Sequence, residues 1–278
     1  MSLGANILPV FEQLGLYKPL MEIALPIVRM NMFTENTDAI GVVEVDDSKT
    51  LIGYNAICFP RPDLYDLILS QVPLEKIHFN KKVVALHEDE TQVTIDCEDG
   101  SSYHGDILVG ADGAYSSIRQ LLYEKVSLEG LLPPSDSEDL SLSCGPEANE
   151  SMIKEIYNFN NGVGGIMGEL TDTTPRERIS KVMLEEKLFE TWHSGRVAPL
   201  GDDASQRRTG YIKAMQDAVI LTNCLYDLEA WSTHDISAAF AEYKDQRYHH
   251  AKYHFEISKT NAQIMRDRQV KLPTCCIA

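Results

Sequence analysis

The stretch that decides the fold is Tyr103-His104-Gly105-Asp106-Ile107-Leu108-Val109-Gly110-Ala111-Asp112-Gly113-Ala114-Tyr115-Ser116-Ser117-Ile118-Arg119. The apolar run from Ile107 to Val109 has the length of a buried strand and breaks at Gly-Ala-Asp-Gly. Ser116 then stands where an N-cap belongs, ahead of a helix through Ile118, Leu121 and Leu122. The stretch therefore reads as strand, tight turn, helix. Two glycines around a carboxylate let backbone come close to a ligand, and a helix N-terminus offers unpaired N–H groups and a positive dipole end. That arrangement suits an anion, although an ordinary strand-to-helix turn containing an aspartate has the same spacing.

Around this stretch lies a chain of 278 residues, long enough for one large or two modest domains with a real core. Its 44% hydrophobic and 24% charged residues are those of an ordinary globular protein. A net charge of −17 argues against nonspecific nucleic-acid binding, which needs clustered Lys and Arg. The cysteines Cys58, Cys97, Cys144, Cys224, Cys275 and Cys276 form neither a C-x-x-C pair nor a zinc spacing, so a reduced, cytoplasmic protein without a metal site is expected. The N-terminus lacks the basic and apolar regions of a secretory signal, and no apolar run is long enough to span a membrane.

Residues 1–20 place Ile7, Val10, Phe11, Leu14 and Leu16 on one helical face, with Gly15 as a stop. Alternation predicts strands over 27–33 and 39–45, followed by an acidic turn at Asp46-Asp47. Pro60 and Pro62 frame the start of a helix carrying Leu64, Leu67 and Ile68, with Arg61 just before it. A hairpin is expected from 77–86 and 91–97, joined by His87-Glu88-Asp89-Glu90. Residues 127–149 have the composition of a loop. Gly162-Val163-Gly164-Gly165-Ile166-Met167-Gly168 superficially has a dinucleotide-binding pattern, but no convincing strand precedes it and no helix is expected to open after it. Pro175 should start an amphipathic helix reaching Leu188; a short strand then ends at Gly201-Asp202, and helices follow around Met215–Leu225 and Ser237–Lys259. His250 and His254 are spaced i,i+4 without the H-E-x-x-H pattern, and solvated histidines are the expectation.

Taken together, these residues resemble the class A FAD-dependent monooxygenases, the aromatic-hydroxylase-like flavoproteins. Gly110-Ala111-Asp112-Gly113 through Ser117-Ile118-Arg119 is similar to the family's DG motif. Arg61-Pro62-Asp63-Leu64 resembles its R-x-D-L helix start, and Gly201-Asp202 with Asp217-Ala218 resembles its GD motif and following helix. The likeness covers most of residues 1–125 and 175–250. It implies an α/β fold: a Rossmann-like FAD-binding domain of the glutathione-reductase type, without its first βαβ unit and with a reduced substrate-domain remnant. That unit, of about 30 residues with its G-x-G-x-x-G turn, would precede Met1. The expected division is 1–142 and 196–250 for the FAD-binding domain, 143–195 for linker and remnant, and 251–278 for a C-terminal helix and tail.

The resemblance implies FAD as cofactor, NADPH or NADH as reductant, and one oxygen atom placed on an aromatic or similar electron-rich small molecule. Arg61 would contact the flavin or diphosphate, Asp112 and Gly113 the phosphate region, and Gly201 with Asp202 the ribityl chain; no catalytic acid or base is assigned. The Pro and most of the glycines that follow the GD motif in the family are missing here, and Pro199 in the preceding strand should remove a ladder donor. A non-catalytic truncated relative or gene-model fragment with weak or no FAD binding is the alternative. Without a central strand the chain is expected to be poorly stable or to self-associate. The terminal Cys275-Cys276-Ile277-Ala278 fits a C-a-a-X prenylation signal, which would place the chain on a membrane surface instead.

Overall fold

A computed structural model describes the chain except for residues 34–38, 45–46, 114–115, 137–145, 162–163, 180, 182–186, 202–204, 207–209 and 268–278. By packing, the described residues fall into two units: 1–77 with 142–183 and the end of the last helix, and 78–141 with 184–259.

In the first unit β1 (Ser2–Leu3) and β2 (Leu25–Pro26) flank β5 (Ile57–Cys58), both antiparallel to it. The expected first helix is divided. A 3₁₀ turn at Ala5–Ile7 leads into α1 (Leu8–Gln13), Gly15 takes φ +73°, and α2 (Tyr17–Ile23) starts anew. Leu3, Leu8, Leu20 and Ile57 are fully buried and form the centre of this unit's apolar interior. The predicted strands are β3 (Arg29–Phe33) and β4 (Ala39–Glu44), an antiparallel pair. Of the acidic pair after them Asp46 lies outside the described residues, and Asp47 opens a helix instead of a turn, α3 (Asp47–Ile52), since an Asp at a helix start favours the positive dipole end. α4 (Arg61–Leu69) follows Pro60 and buries Leu64.

The second unit begins with an antiparallel meander, β6 (Val83–Glu88), β7 (Val93–Cys97) and β8 (Ser102–Gly105). The first strand starts at Val83, six residues later than expected, and His87 and Glu88 belong to it, because the turn is set by Asp89. Its carboxylate accepts N–H groups from Thr91 and Gln92. β9 (Leu108–Gly110) and α5 (Ser117–Leu128) realise the strand, turn and helix read from residues 103–119.

Back in the first unit, α6 (Pro146–Ile156) and α7 (Met167–Thr173) flank the Gly-rich loop. Contrary to expectation, a helix does open at its last glycines, and α6 begins inside the segment read as loop. Before the glycines α6 has ended at Ile156 and residues 157–161 form a turn with one isolated bridge, Asn160 to Ile166, so the strand of a dinucleotide fingerprint is still missing. Gly168 is packed under the Tyr157 ring, which explains the glycine sterically. The amphipathic helix expected after Pro175 is not found in the described part: Arg176–Arg178 form one 3₁₀ turn and Lys187–Leu188 form a strand, β10.

The chain is back in the second unit from residue 184, and there β11 (Val197–Pro199) pairs in parallel with β9, Val197 opposite Leu108 and Pro199 opposite Gly110. β12 (Ser205–Gln206) pairs with β10, and two helices finish the chain, α8 (Gly210–Tyr226) and α9 (Thr233–Asp267). Successive residues of β11 point to opposite faces. Val197 joins Ile118, Leu122, Val126 and Phe189 on the α5 side, while Ala198 joins Leu221, Cys224, Phe240 and Tyr243 under α8 and α9. Helices thus cover both faces of a parallel pair, the layering of an α/β domain. Pro199 costs no bond to β9. Arg196 accepts from Leu108 and Leu200 donates to Gly110, so alternate residues face β9 and the Pro199 nitrogen points away.

Candidate functional site

Ligands of parallel α/β sheets bind beyond the C-terminal ends of the strands. The pairing of Pro199 with Gly110 brings two sequence-predicted positions to that end together: the Asp112–Gly113 turn after β9 and Gly201 after β11. A hydrogen bond of 2.7 Å from Leu200 N–H to the Gly110 carbonyl joins the two strand ends. The opposite end is closed. There the buried Arg196 guanidinium donates to the carbonyls of Asp106 (2.9 Å), Glu90 (2.7 Å) and Trp231 (3.3 Å), and the Glu88 carboxylate takes the Arg196 N–H and the Lys125 ammonium. A buried cation with three carbonyl partners fixes that end as structure.

At the open end, Ser116 caps α5 by accepting from Arg119 N–H at 2.9 Å. Asp112 accepts from Ser116 Oγ (2.5 Å), Ser117 N–H (2.6 Å) and Ile118 N–H (3.4 Å). The anion expected at this helix N-terminus is therefore met by the chain's own carboxylate. A phosphate set beside it would be repelled, whereas a ribose or ribityl hydroxyl could donate to the same oxygens. Gly113 has φ +91°, and a Cβ there would meet nothing within 4 Å, so the turn leaves open space for a bound group.

A cavity of about 490 Å³ lies against this turn, lined by Lys81, Lys82, Leu108, Val109, Asp112 and Ser117 among others. Neither lysine was picked out by sequence. Lys81 is held by Asp99 at 2.5 Å and by Ser101 at 3.1 Å, and the Asp99 contact raises its pKa while lowering that of Asp99. Lys82 pairs with Glu98 at 3.0 Å. Because both ammoniums are already partnered, their charge is only partly available to an anion.

Gly201 is buried with φ +69°, and a Cβ on it would stand 2.7 Å from that of Ala214. Asp217, one helical turn further along α8, pairs with Arg247 Nε of α9 at 2.5 Å. Burial pushes the Asp217 pKa up, and Arg247 and the Gly201 N–H pull it back. Asp202 lies outside the described residues, as does Cys275. Arg61 is exposed at the first position of α4, in the other unit. His249, His250 and His254 are exposed on α9.

The comparisons with known proteins agree with this geometry. Residues 3–141 match the family described as FAD binding domain. The chain belongs to the FAD-binding domain family. Among its relatives, the FAD-dependent monooxygenase ausM of Penicillium brasilianum is 25% identical over 332 residues, covering 94% of this chain and 70% of that protein. In fold, this FAD-binding domain protein is similar to Klebsiella pneumoniae HpxO complexed with FAD and uric acid. The TM-score is 0.75 at 20% identity, over 97% of this chain and 80% of that one. It is also similar to 2,6-dihydroxypyridine-3-hydroxylase from Arthrobacter nicotinovorans, with a TM-score of 0.68 at 13% identity over 95% and 82% of the chains. Among the described residues, no helix of this flavoprotein-family member is long and apolar enough to cross a membrane.

Proposed function

We propose that this chain is an FAD-dependent monooxygenase that uses NADPH or NADH to hydroxylate an aromatic or similarly electron-rich small molecule. The observation that carries the reading is the parallel register of β9 and β11, which sets Asp112, Gly113 and Gly201 at one strand end beside an open cavity. These residues fit the cofactor. Asp112 offers carboxylate oxygens to a hydroxyl, and Gly113 offers room for close backbone approach. Gly201 stands at the strand end, and Asp202, next to it in sequence, is where the resemblance puts the ribityl contact. The resemblance assigns Arg61 a contact with the flavin or diphosphate. When bound, FAD would carry the redox and oxygen chemistry, and the protein's part is to hold, orient and shield it.

The other reading, a flavin-binding relative without catalysis, has its own support. The stretch matched to ausM, 332 residues, is longer than this whole chain of 278, so the relative carries internal segments absent here. Oxygen uptake by the FAD-supplemented chain separates the two. The enzyme reading predicts NADPH- or NADH-dependent uptake that electron-rich phenols accelerate; no uptake despite bound flavin leaves the non-catalytic relative. A cytoplasmic setting goes with either reading, since Cys58, Cys97 and Cys224 are free thiols. So does self-association through β9, whose Val109 N–H and C=O point away from β11.

A further inference from the structure

We infer that Asp136 is a clasp that closes the second unit across the chain's excursion into the first, so that the two halves of the flavin site stay together even when the excursion is cut. The inference rests on the reading of that strand end as a flavin site. The site is split along the chain. Asp112 and Gly113 lie on residues 78–141 and Gly201 on residues 184–259, while residues 142–183 between them belong to the first unit. Among the described strands, β9 and β11 alone pair the two segments, over three residues where about 5–6 are usual. A slip of one residue would turn Val197 and Ala198 to the wrong layers, so the register needs a second anchor.

The anchor is set before β11 begins. The Asp136 carboxylate, 2% exposed, accepts Glu190 N–H at 2.9 Å and Thr191 N–H at 2.7 Å, from 54 and 55 residues further along the chain. Tyr123 of α5 donates its hydroxyl to the Thr191 carbonyl at 3.1 Å, so the returning backbone is gripped from both sides. Next to the grip, Phe189 and Trp192 are each 1% exposed, Phe189 in the cluster under α5 and Trp192 in the cluster under α8 and α9. The grip therefore fixes where the chain crosses from one layer to the other. A charged acceptor meeting two successive N–H groups, with a large ring buried on each side, also fixes the register in which the chain enters β11. The cost of closing a loop rises only with the logarithm of its length, about threefold per doubling, so an excursion held at its ends is free to vary. The relative ausM, matched over 332 residues against 278 here, differs from this chain in internal length.

The test uses the full chain with a protease recognition sequence inserted after the exposed Pro175, so that it is studied whole and cut in two. Association of the pieces is read by sedimentation across a dilution series, and FAD binding by fluorescence titration. The cut parent should sediment as one particle and still bind FAD. In Asp136→Ala the whole chain should keep its FAD binding, while the cut form should come apart at a protein concentration about tenfold or more above that of the cut parent. Amide exchange in the whole Asp136→Ala chain should quicken about tenfold or more at Glu190 and Thr191, with Leu108 still protected by its bond to Arg196. Asp136→Asn, which keeps an acceptor oxygen, should fall between, and it decides by the same comparison if the alanine variant does not fold. A cut parent that separates into its pieces, or a cut variant as tightly associated as the cut parent, overturns the inference. Failure of the whole parent to take up FAD would strike the functional proposal instead, and sedimentation, which needs no flavin, would still decide whether Asp136 closes the unit.

Discussion

Replacing Gly201 by alanine should be among the most damaging single-methyl additions in the second unit. Two costs combine. At φ +69° an L side chain occupies the left-handed region, which costs about 1–2 kcal/mol. The added methyl would also stand 2.7 Å from the Ala214 Cβ and 3.3 Å from its Cα, where no flexible side-chain end can yield, and such overpacking costs about 1–3 kcal/mol. The sum, about 2–5 kcal/mol, is a large part of a typical domain stability. Gly100 is the control: its φ is +83°, but a Cβ there meets nothing within 4 Å, so Gly100→Ala should show the conformational cost alone. Denaturant midpoints at constant m-value give both numbers. In Gly201→Ala combined with Ala214→Gly, the steric part should be recovered, less about 1 kcal/mol for a glycine inside α8. Equal losses for Gly201→Ala and Gly100→Ala, or no recovery in the double variant, would refute the packing argument.

Asp112→Ala should destabilise α5 by about 1–2 kcal/mol, as loss of a helix-capping acceptor does, and should weaken FAD binding as well; urea unfolding and flavin titration check the two effects separately. Arg196→Met should cost about 3 kcal/mol or more by leaving the Asp106, Glu90 and Trp231 carbonyls without their donor, measured by denaturant unfolding, with little effect on FAD affinity in the fraction that is folded. His193 is half-buried beside Phe240, and burial and then Lys244 lower its pKa below 6.5, with Asp245 opposing. A depressed histidine pKa means the folded state resists the proton. The stability His193 contributes is therefore present above pH 6.5 and lost as the pH falls through the lower folded value. Melting temperatures from pH 7 downward should show this loss in the parent chain and a smaller one in His193→Phe.

The decisive motif was legible because every part of it obeys a local rule. A short β run, two glycines, a capping serine and an apolar helix face leave few alternatives for residues 107–122. β3, β4, α4, α8 and α9 were readable for the same reason, from uninterrupted periodicity or from proline at a helix start. What sequence misplaced was decided by contacts between distant residues. Leu188 has a helical spacing from Leu184, yet it pairs with Ser205 in a strand. A helix opens at Met167 with Gly168 packed under the Tyr157 ring, a contact that no local pattern records. Pro199 looked like a broken ladder, but only the pairing with Gly110 reveals that its nitrogen faces the other edge. At the site, Asp112 and Gly201 could be named from motifs. Lys81, Lys82 and Arg247 could not, since nothing in the sequence brings 81 next to 112 or 247 next to 217. Asp217 stood inside a recognised motif, but its pairing with Arg247 needed the folded helices.

The central claim is that the ends of β9 and β11 form a flavin site, and the visible absorption spectrum of the purified chain titrated with FAD tests it most directly. The account predicts a saturable complex with one flavin per chain and a flavin band altered from that of the free cofactor, lost in Asp112→Ala. A chain that stays colourless after FAD addition and gel filtration would contradict it.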